Sequence, residues 1–389
     1  MSKKIKSAKS SKGSKKVAVV GMSGGVDSAV AALLLKQSGY DVIGIFMRNW
    51  EESEPLTACS AAKDFEDVVS VCEKLQIPYY SVEFIKEYFD EVFAPSIEEY
   101  KRGLTPNPDV LCNLKIKFKI FYEKALQLGA DFVATGHYCR CEVDKESGEK
   151  TLLKGSDPGK DQSYFLYTIK KDILSRVLFP IGGMLKREVR ELACKHGLDV
   201  YNKKDSTGIC FIGEKDFANF LQKYIPKNPG PFKTLNGEIV GEHEGFPFYT
   251  IGQRKGLGLG GAGAPWYVIG KDPKQNIVYV ERGENHPALY ASKLYTNNLS
   301  FVADRPFFNN VSNNASLPLL HPLRAKIRYR QSDQECSITA ISGTKDCMCL
   351  EVSFVEPQRA ITPGQAIVFY RGDICLGGGT IMGDAIYSP

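Results

Sequence analysis

The N-terminal half of the chain alternates between strand-like and helix-like stretches of hydrophobic residues. Residues 17–20 (Val-Ala-Val-Val) form a short apolar run, residues 29–37 have the composition of a helix, and residues 41–47 are again apolar and β-branched. Glycines at positions 21 and 39 follow the first run and the helix, where regular elements commonly end. The pattern predicts a strand, a helix and a second strand.

The alternation continues to about residue 135. It predicts a helix at 61–75, a strand at 78–84, helices at 85–101 and 113–128, and a strand at 131–135. Strands that alternate with helices at this spacing pair in parallel through crossover helices. The first fold prediction is therefore a doubly wound α/β domain built on a parallel sheet.

The composition changes after about residue 220. Prolines and glycines cluster at 226–231 and glycines recur through 257–263, which indicates a small, loop-rich central domain. Short alternating segments from about residue 287 onward indicate an all-β, barrel-like domain. The predicted division is a disordered Lys/Ser-rich tail at 1–16, the α/β domain at 17–222, the central domain at 223–287 and the β domain at 288–389.

Composition and charge narrow the possible functions. The net charge is +5, but residues 1–16 hold seven lysines and no acid, so the remainder of the chain is close to neutral. A nucleic-acid partner must therefore be argued from where the charges lie. No apolar run approaches the ~18 residues that span a bilayer, which predicts no membrane partner. Eleven cysteines without a secretory signal predict free thiols and a cytoplasmic location.

The turn from the first strand to the first helix reads Gly21-Met22-Ser23-Gly24-Gly25-Val26-Asp27-Ser28. Its glycines let backbone N–H groups converge on an anion at the positive end of the helix. A kinase-type loop would end in Gly-Lys-Ser/Thr, whereas this one ends in Val-Asp-Ser. The loop therefore favours cleavage of ATP between its α- and β-phosphates, with Asp27 helping to hold Mg²⁺. The alternative is a glycine-rich turn that binds nothing.

Two of the eleven cysteines stand out. Cys112 directly precedes a predicted helix, and a thiol at a helix N-terminus is more acidic and more reactive. Lys115 and Lys117 act in the same direction. Cys210 lies in a short segment between glycines 208 and 213, which is typical of a mobile loop. A buried, unreactive cysteine is the alternative for Cys112, and the residues around Cys210 leave its role open.

The phosphate loop resembles the signature of the PP-loop ATP pyrophosphatase superfamily. Together with further motifs, in the same order, the chain is similar to the bacterial tRNA-specific 2-thiouridylases from about residue 16 to about residue 380. These motifs are Phe46-Met-Arg-Asn-Trp50, Thr105-Pro-Asn-Pro-Asp109 with Cys112, Ala134-Thr-Gly-His-Tyr138, Lys160-Asp-Gln-Ser-Tyr-Phe-Leu-Tyr167 and Ser206-Thr-Gly-Ile-Cys-Phe-Ile-Gly213.

The resemblance implies a reaction. In that family ATP adenylylates O2 of the wobble uridine in the tRNAs for Lys, Glu and Gln, and sulfur then replaces the adenylylated oxygen. The match implies that Cys210 carries a persulfide received from a sulfur-relay protein or a cysteine desulfurase. It implies that Cys112 is the nucleophile that later forms a disulfide with Cys210. Asp109 matches a general acid or base, and Asn107, Pro108 and Asp109 match contacts to a flipped-out base.

The same resemblance assigns further contacts. Met47 and Gly136 match ATP contacts, at the edge where open α/β sheets bind ligands. His137 and the segment Lys160-Asp161-Gln162 match tRNA contacts, as do Arg328, Tyr329 and Gln365. From the residues alone, the favoured interpretation of His137 is a satisfied core histidine, and residues 160–162 could equally be a solvated turn.

Residues 323–330 alternate apolar and basic side chains. In a strand, Arg324, Lys326, Arg328 and Arg330 would share one face and could follow a phosphate backbone, or form a solvated barrel face. Two other functions stay open. One is a PP-loop ligase that uses nitrogen as its nucleophile and needs neither cysteine, and the other is an RNA-binding or nucleotide-sensing protein with an idle loop. A thiolase with an iron–sulfur cluster would be expected to carry a C-x-x-C motif, which the chain lacks.

Overall fold

The computed structural model describes residues 15–50, 58–143, 148–205, 217–302, 323–344 and 347–383. Nearly all of the predicted tail lies outside these residues, and so does the segment that carries Cys210. No helix within the described ranges is long and apolar enough to cross a bilayer.

A five-stranded parallel sheet forms the centre of the N-terminal domain. Its order is β3-β2-β1-β4-β7, so β1 lies in the middle and its Ala18, Val19 and Val20 are fully buried. Strands buried on both faces read as continuous apolar runs, which is why residues 17–20 were recognisable. The strands are β1 Val17–Met22, β2 Asp41–Arg48, β3 Tyr79–Glu83, β4 Phe132–Ala134 and β7 Val177–Leu178.

Helices connect these strands. The α-helices are α1 Val26–Gln37, α2 Ala58–Leu75, α3 Ile85–Tyr88, α4 Ala94–Lys101, α5 Pro108–Cys112, α6 Tyr122–Gln127, α7 Lys171–Leu174, α8 Lys186–Lys195 and α9 Phe217–Gln222. Two π-helical segments, Phe89–Phe93 and Asn113–Phe121, join α3 to α4 and α5 to α6. Chain segment 85–101 is therefore continuously helical, and segment 108–127 is helical apart from a kink at Phe118.

The predicted start of the helix after Cys112 is wrong. Helical structure begins at Pro108, because Asn107 accepts a hydrogen bond from the Val110 N–H (3.3 Å) and proline fits the first helical position. Cys112 is the last residue of α5, one turn inside the helical stretch, so the argument that placed its thiol at the N-terminal end of a helix fails.

The central domain is a four-stranded sheet with the order β10-β11-β8-β9. Its strands are β8 Gly230–Lys233, β9 Ile239–His243, β10 Trp266–Asp272 and β11 Ile277–Arg282. Phe232, Val268, Val278 and Val280 are fully buried and belong to the same hydrophobic core as Cys112. The central domain thus packs against the helical side of the N-terminal domain.

The C-terminal domain is a closed β-barrel. Its strands run in the order β12-β15-β14-β13-β16-β17, and β12 also pairs with β17, which closes the sheet. They are β12 Tyr290–Phe301, β13 Leu323–Lys326, β14 Gln334–Thr344, β15 Cys347–Arg359, β16 Ala366–Arg371 and β17 Ile374–Ile381. A hairpin of β5 Cys139–Val143 and β6 Lys150–Lys154 extends the barrel sheet from the N-terminal domain. The predicted fold class, α/β followed by a small domain and a β-barrel, is confirmed.

The predicted basic face of residues 323–330 is wrong. Strand β13 ends at Lys326, and residues 327–330 form a turn, so the four basic side chains do not share a face. Arg324 and Arg330 are exposed, but Lys326 is only 7% exposed.

A buried ion pair accounts for that burial. The ammonium of Lys326 lies 3.1 Å from the Asp161 carboxylate and 3.7 Å from Asp333. The other carboxylate oxygen of Asp161 accepts hydrogen bonds from the N–H groups of Gly155 and Ser163. This pair joins the barrel to the α/β domain.

We expect Lys326→Met to lower the free energy of unfolding by about 3 kcal/mol, because removing one partner leaves the other charge buried and uncompensated. Adding Asp161→Asn to the same chain is expected to recover part of that loss. Urea denaturation followed by fluorescence measures both. A single variant as stable as the wild type, or a double variant less stable than the single one, would contradict this account.

Candidate active site

The glycine-rich loop occupies the turn between β1 and α1. Gly24 has a φ of +74°, and a Cβ there would lie 2.5 Å from the Asp64 carbonyl oxygen, so only glycine fits. Gly25 is the N-cap residue of α1 and brings no side-chain acceptor to the first-turn N–H groups. Such a helix start suits an anion.

The two serines of the loop bind one another. The Ser28 hydroxyl accepts from the Ser23 N–H (3.1 Å), donates to the Gly25 carbonyl (3.1 Å) and lies 3.2 Å from the Ser23 hydroxyl. Met22 and Val26 are buried in the core, so their contribution to a ligand site is limited to the backbone. The loop is held in shape by its own side chains.

Neighbouring strand ends approach the loop closely. A Cβ on Gly136, which follows β4, would lie 2.7 Å from the Ser28 backbone nitrogen and 2.8 Å from the Asp27 carbonyl carbon. A Cβ on Gly21 would lie 3.3 Å from the Cε of Met47, near the end of β2. The structure therefore brings the predicted nucleotide contacts Met47 and Gly136 to the two sides of the loop.

A network of charges, which sequence reasoning missed, surrounds Asp27. The Lys186 ammonium donates to both Asp27 carboxylate oxygens at 2.8 Å, and the Tyr138 hydroxyl donates to one of them at 2.7 Å. Asp205 lies 2.9 Å from Lys186, 2.6 Å from Lys160 and 2.8 Å from Arg190. Burial alone would raise the pKa of Asp205, but hydrogen bonds from Lys160 and Lys186 outweigh it and hold that pKa below its usual range.

These contacts bear on the predicted magnesium site. Both oxygens of Asp27 are engaged by Lys186, and the described residues contain no group of three or more His, Cys, Asp or Glu side chains that could hold a metal. A Mg²⁺ ion needs about six oxygen ligands. The protein residues on their own do not make a magnesium site, and Asp27 can supply only part of one.

Cys112 is buried in the core beneath the loop. Its side chain is 1% exposed and packs in the cluster that contains Val19 of β1 and Phe121 of the following helical segment. The ring of Phe121 also faces Gly21, whose Cβ would lie 3.4 Å from it. No disulfide joins Cys112 to another of the described cysteines. Its predicted partner Cys210 lies outside the described residues.

Asp109, Lys117 and His137 form the link between the Cys112 helix and the loop. Burial raises the pKa of Asp109, and Lys117 acts in the opposite direction. The Lys117 ammonium lies 3.5 Å from His137 Nε2, and the Thr135 hydroxyl lies 2.7 Å from His137 Nδ1. Burial and Lys117 both lower the pKa of His137, which keeps its imidazole neutral. His137 is thus a satisfied buried histidine placed next to the residue that touches the phosphate loop.

The barrel holds the start of the Cys112 helix. The Gln365 amide donates to the carbonyl oxygens of Thr105 (2.8 Å) and Pro106 (3.1 Å), and the Thr105 N–H donates to the Pro363 carbonyl (2.8 Å). A Cβ on Gly364, whose φ is +89°, would lie 2.9 Å from the Thr105 nitrogen. Gln365 was predicted to contact RNA, and here its amide binds the protein backbone next to Asn107.

The predicted RNA-contact segment 160–162 lies at the junction of the two domains. Lys160 is paired with Asp205, and Asp161 is buried against Lys326. The Gln162 side-chain oxygen accepts a hydrogen bond from the Tyr138 N–H. The backbone N–H of Gln162 donates to the Tyr138 carbonyl, and both bonds are 3.0 Å long. The segment is a set of structural contacts and not a solvated turn, and of its three side chains only Asp161 is fully buried.

Tyr329 and Arg328 reach the same region from the barrel. The Tyr329 ring lies 4.5 Å from the Phe165 ring, and its hydroxyl donates to the Lys160 carbonyl at 3.4 Å. Burial raises the pKa of Tyr329 to about 12, with Asp161 adding to the effect. Arg328 donates to the Arg359 carbonyl, and its Nε is buried without a hydrogen-bond partner. The structure brings Lys160 and Tyr329 together at one junction and leaves Arg328 incompletely satisfied.

Three family models match successive parts of the chain. They are described as a tRNA methyl transferase HUP domain (residues 15–214), a tRNA methyl transferase PRC-barrel domain (218–282) and an aminomethyltransferase beta-barrel domain (292–381). Among solved structures, a 4-thiouridine synthetase in complex with RNA and ATP matches 54% of this chain and 50% of its own, at 19% identity and a TM-score of 0.33, a likeness too weak to support a functional conclusion.

Curated relatives match nearly the whole chain. A protein of Protochlamydia amoebophila is 54% identical over 367 residues, covering 94% of this chain and 93% of its own. One from Halalkalibacterium halodurans is 53% identical over 367 residues, covering 93% and 94%. Both are named tRNA-specific 2-thiouridylase MnmA. At this identity and coverage, the chain belongs to the tRNA-specific 2-thiouridylase family.

Proposed function

We propose that the protein is a tRNA-uridine 2-sulfurtransferase. It uses ATP to adenylylate O2 of the wobble uridine and replaces that oxygen with sulfur. The observation that carries the proposal is the proximity of the phosphate loop to the helix that bears Cys112. The link runs from Gly136, packed on the loop, to His137 and then to Lys117 of that helix. Membership of the 2-thiouridylase family supports the same reaction.

The first half of the reaction activates a poor leaving group. Uridine O2 attacks the α-phosphorus of ATP, the bond to the bridging oxygen of the β-phosphate breaks, and pyrophosphate leaves with the electron pair. The backbone N–H groups of the loop and the start of α1 are suited to bind the phosphates. Mg²⁺ would supply charge neutralisation there, with Asp27 as one of its ligands and the phosphates as the others.

The second half introduces sulfur. The Cys112 thiolate attacks the inner sulfur of a persulfide on Cys210, which releases hydrosulfide and forms the Cys112–Cys210 disulfide. The hydrosulfide adds to C2 of the activated uridine and AMP leaves, giving 2-thiouridine. A two-electron reductant must then reopen the disulfide. Because Cys112 is 1% exposed, its thiol must become accessible during this cycle.

The proposal has finer parts. The substrates are the tRNAs for Lys, Glu and Gln, and the sulfur comes from a sulfur-relay protein or a cysteine desulfurase in the cytoplasm. Asn107, Pro108 and Asp109 contact the flipped-out base, and Lys160, Gln162, Arg328 and Tyr329 contact the RNA, whereas the buried His137 and Asp161 support these contacts from within the fold. In support, the Tyr329 hydroxyl donates to the Lys160 carbonyl, so the two residues lie side by side. The guanidinium of Arg328, whose hydrogen bonds are incompletely satisfied among the described residues, is suited to a phosphate.

We expect Cys112→Ser and Cys210→Ser to abolish 2-thiouridine formation but to retain pyrophosphate release, because neither thiol takes part in adenylylation. The assay incubates the protein with ATP, tRNA and a persulfide donor, measures pyrophosphate, and detects 2-thiouridine in the digested RNA by mass spectrometry. Cys194→Ser, at an exposed cysteine far from the loop in sequence, is the matched control and should be unaffected. Wild-type protein that consumes ATP with tRNA but never transfers sulfur would refute the proposal and favour a nitrogen-transferring ligase, and full 2-thiouridine formation by either variant would refute the roles of the two cysteines.

The raised pKa of Asp109 predicts a particular pH dependence. As a base, Asp109 works only when deprotonated, so thiolation should fall as the pH drops through a pKa that lies above the ordinary 3.8. Asp109→Asn should lower the plateau by about a hundredfold and remove that acid limb. Asp41→Asn, at the exposed start of β2, is the control. An acid limb that persists unchanged in Asp109→Asn would show that another group titrates.

The contacts of Gln365 predict how its removal acts. Because the amide holds the backbone before Asn107, Gln365→Ala should lower kcat at saturating tRNA by about tenfold, roughly the loss of one to two hydrogen bonds. The dissociation constant for tRNA should change less than twofold, as measured by filter binding. Gln275→Ala removes a comparable amide, which binds the Asp272 carboxylate in the central domain, and should change neither quantity. Weakened tRNA binding with an unchanged kcat would instead make Gln365 a direct RNA contact.

A further inference from the structure

The phosphate loop contains no lysine of its own. Its sequence from Gly21 to Ser28 has no basic residue, whereas the loops that move a γ-phosphate place a lysine on the outer phosphates. Chemistry that expels pyrophosphate still concentrates negative charge on the departing group. A side-chain cation from another element would add to the charge neutralisation that Mg²⁺ would supply there.

Among the described residues, three basic side chains other than Lys160 lie near the loop, and two of them already hold the backbone in place. Lys203 donates to the Gly24 carbonyl (3.0 Å) and to the carboxylates of Asp64 and Asp67, which fixes the loop against α2. Arg190 donates to Asp205 and to the carbonyl oxygens of residues 201 and 203, which fixes the chain after α8. Neither guanidinium nor ammonium can leave these partners without loosening the backbone.

Lys186 differs from both. It is the first residue of α8, and within the described part of the chain its ammonium pairs with carboxylates: both oxygens of Asp27 in the loop at 2.8 Å and Asp205 at 2.9 Å. Its side chain is 12% exposed, and its ammonium lies 5.8 Å from the centre of the Tyr138 ring. The amine is thus held at the loop by charged groups whose place phosphate oxygens can take.

We propose that Lys186 is a catalytic residue that binds the β-phosphate of ATP and then the departing pyrophosphate. The proposal rests on the function proposed above and names the group that takes the place of the missing loop lysine. When phosphates occupy the loop, the ammonium exchanges one or two carboxylate oxygens for phosphate oxygens. Lys186 transfers no proton, and its ammonium offsets charge on the leaving oxygen as the bond to the α-phosphorus breaks.

Asp27, Asp205 and Tyr138 set the position of that ammonium. Asp205 is itself paired with Lys160 and Arg190. Its carboxylate therefore stays in place beside Lys186 when the ammonium moves away from Asp27. The Tyr138 hydroxyl, which donates to Asp27, supplies a second partner for the released carboxylate. The arrangement lets the lysine turn toward a phosphate without leaving either carboxylate alone.

The test measures pyrophosphate binding to the full-length protein by titration calorimetry, with AMP as the comparison ligand. Lys186→Met is expected to raise the dissociation constant for pyrophosphate about ten- to hundredfold, the effect of losing one or two charge-assisted hydrogen bonds. Binding of AMP should change less than twofold. Lys186→Arg, which keeps the positive charge, should recover most of the pyrophosphate affinity.

Lys154→Met is the matched control. Lys154 is a 16% exposed lysine paired with Asp333 at the junction with the barrel, so this variant removes a similar ion pair away from the loop. If Lys186→Met does not fold, Lys186→Gln, whose neutral amide can still donate to Asp27 and Asp205, replaces it in the assay. Wild-type affinity for pyrophosphate in either variant, or an equal loss of AMP and pyrophosphate binding, would overturn the proposal. A wild-type protein that binds pyrophosphate through Lys186 yet forms no 2-thiouridine would refute the proposed function and leave this role intact.

Discussion

The candidate site depends on one steric constraint, the contact between Gly136 and the first turn of α1. A Cβ at Gly136 would lie 2.7 Å from the Ser28 nitrogen, so the end of β4 and the start of α1 touch backbone to backbone. That contact sets His137 and Tyr138 directly beside the loop. Tyr138 then bonds to Asp27 and to Gln162, and His137 meets Lys117. The contact at Gly136 thereby sets the relative positions of the phosphate loop, the Cys112 helix and the predicted RNA-contact segment.

The parts of the fold that the sequence predicted are those set by local pattern. The strand at 17–20 and the helix that follows the glycine loop are buried, so their apolar runs are unbroken and their boundaries are marked by glycine. The start of the helix that bears Cys112 was predicted too far along the chain. It depends on one capping contact, in which the Val110 N–H donates to the Asn107 side chain, and this contact competes with the extended preference of residues before proline. The barrel strand at 323–330 was extended too far because alternation persists through a turn, and side-chain period alone does not show where pairing stops.

Only part of the candidate site could be predicted from the sequence, for a related reason. Its glycines and cysteines can be recognised in the sequence, because their backbone freedom and their thiol chemistry are unusual in any context. Lys186, Arg190 and Lys203 are ordinary residues on a lysine-rich chain, and only the fold shows that they meet Asp27, Asp205 and the Gly24 carbonyl. Gln365 lies more than two hundred residues from Thr105, and no period or motif connects them. Contacts between distant segments are what a single sequence does not contain.

The electrostatics of the site favour a division of labour between its two sides. Around the loop, lysines and carboxylates are paired but partly exposed, so an incoming polyanion can exchange with a carboxylate at little cost in desolvation. Around the barrel junction, the Asp161 carboxylate is only 3% exposed, against about a third for Asp27 and Asp205, and separating it from Lys326 would leave an uncompensated charge. A substrate that contacts both regions therefore exchanges the ion pairs around the loop first, and the ion pair between the barrel and the α/β domain stays intact. The barrel can then act as a fixed support for the backbone that leads to Cys112, while the groups that respond to ATP are the exchangeable pairs around Asp27.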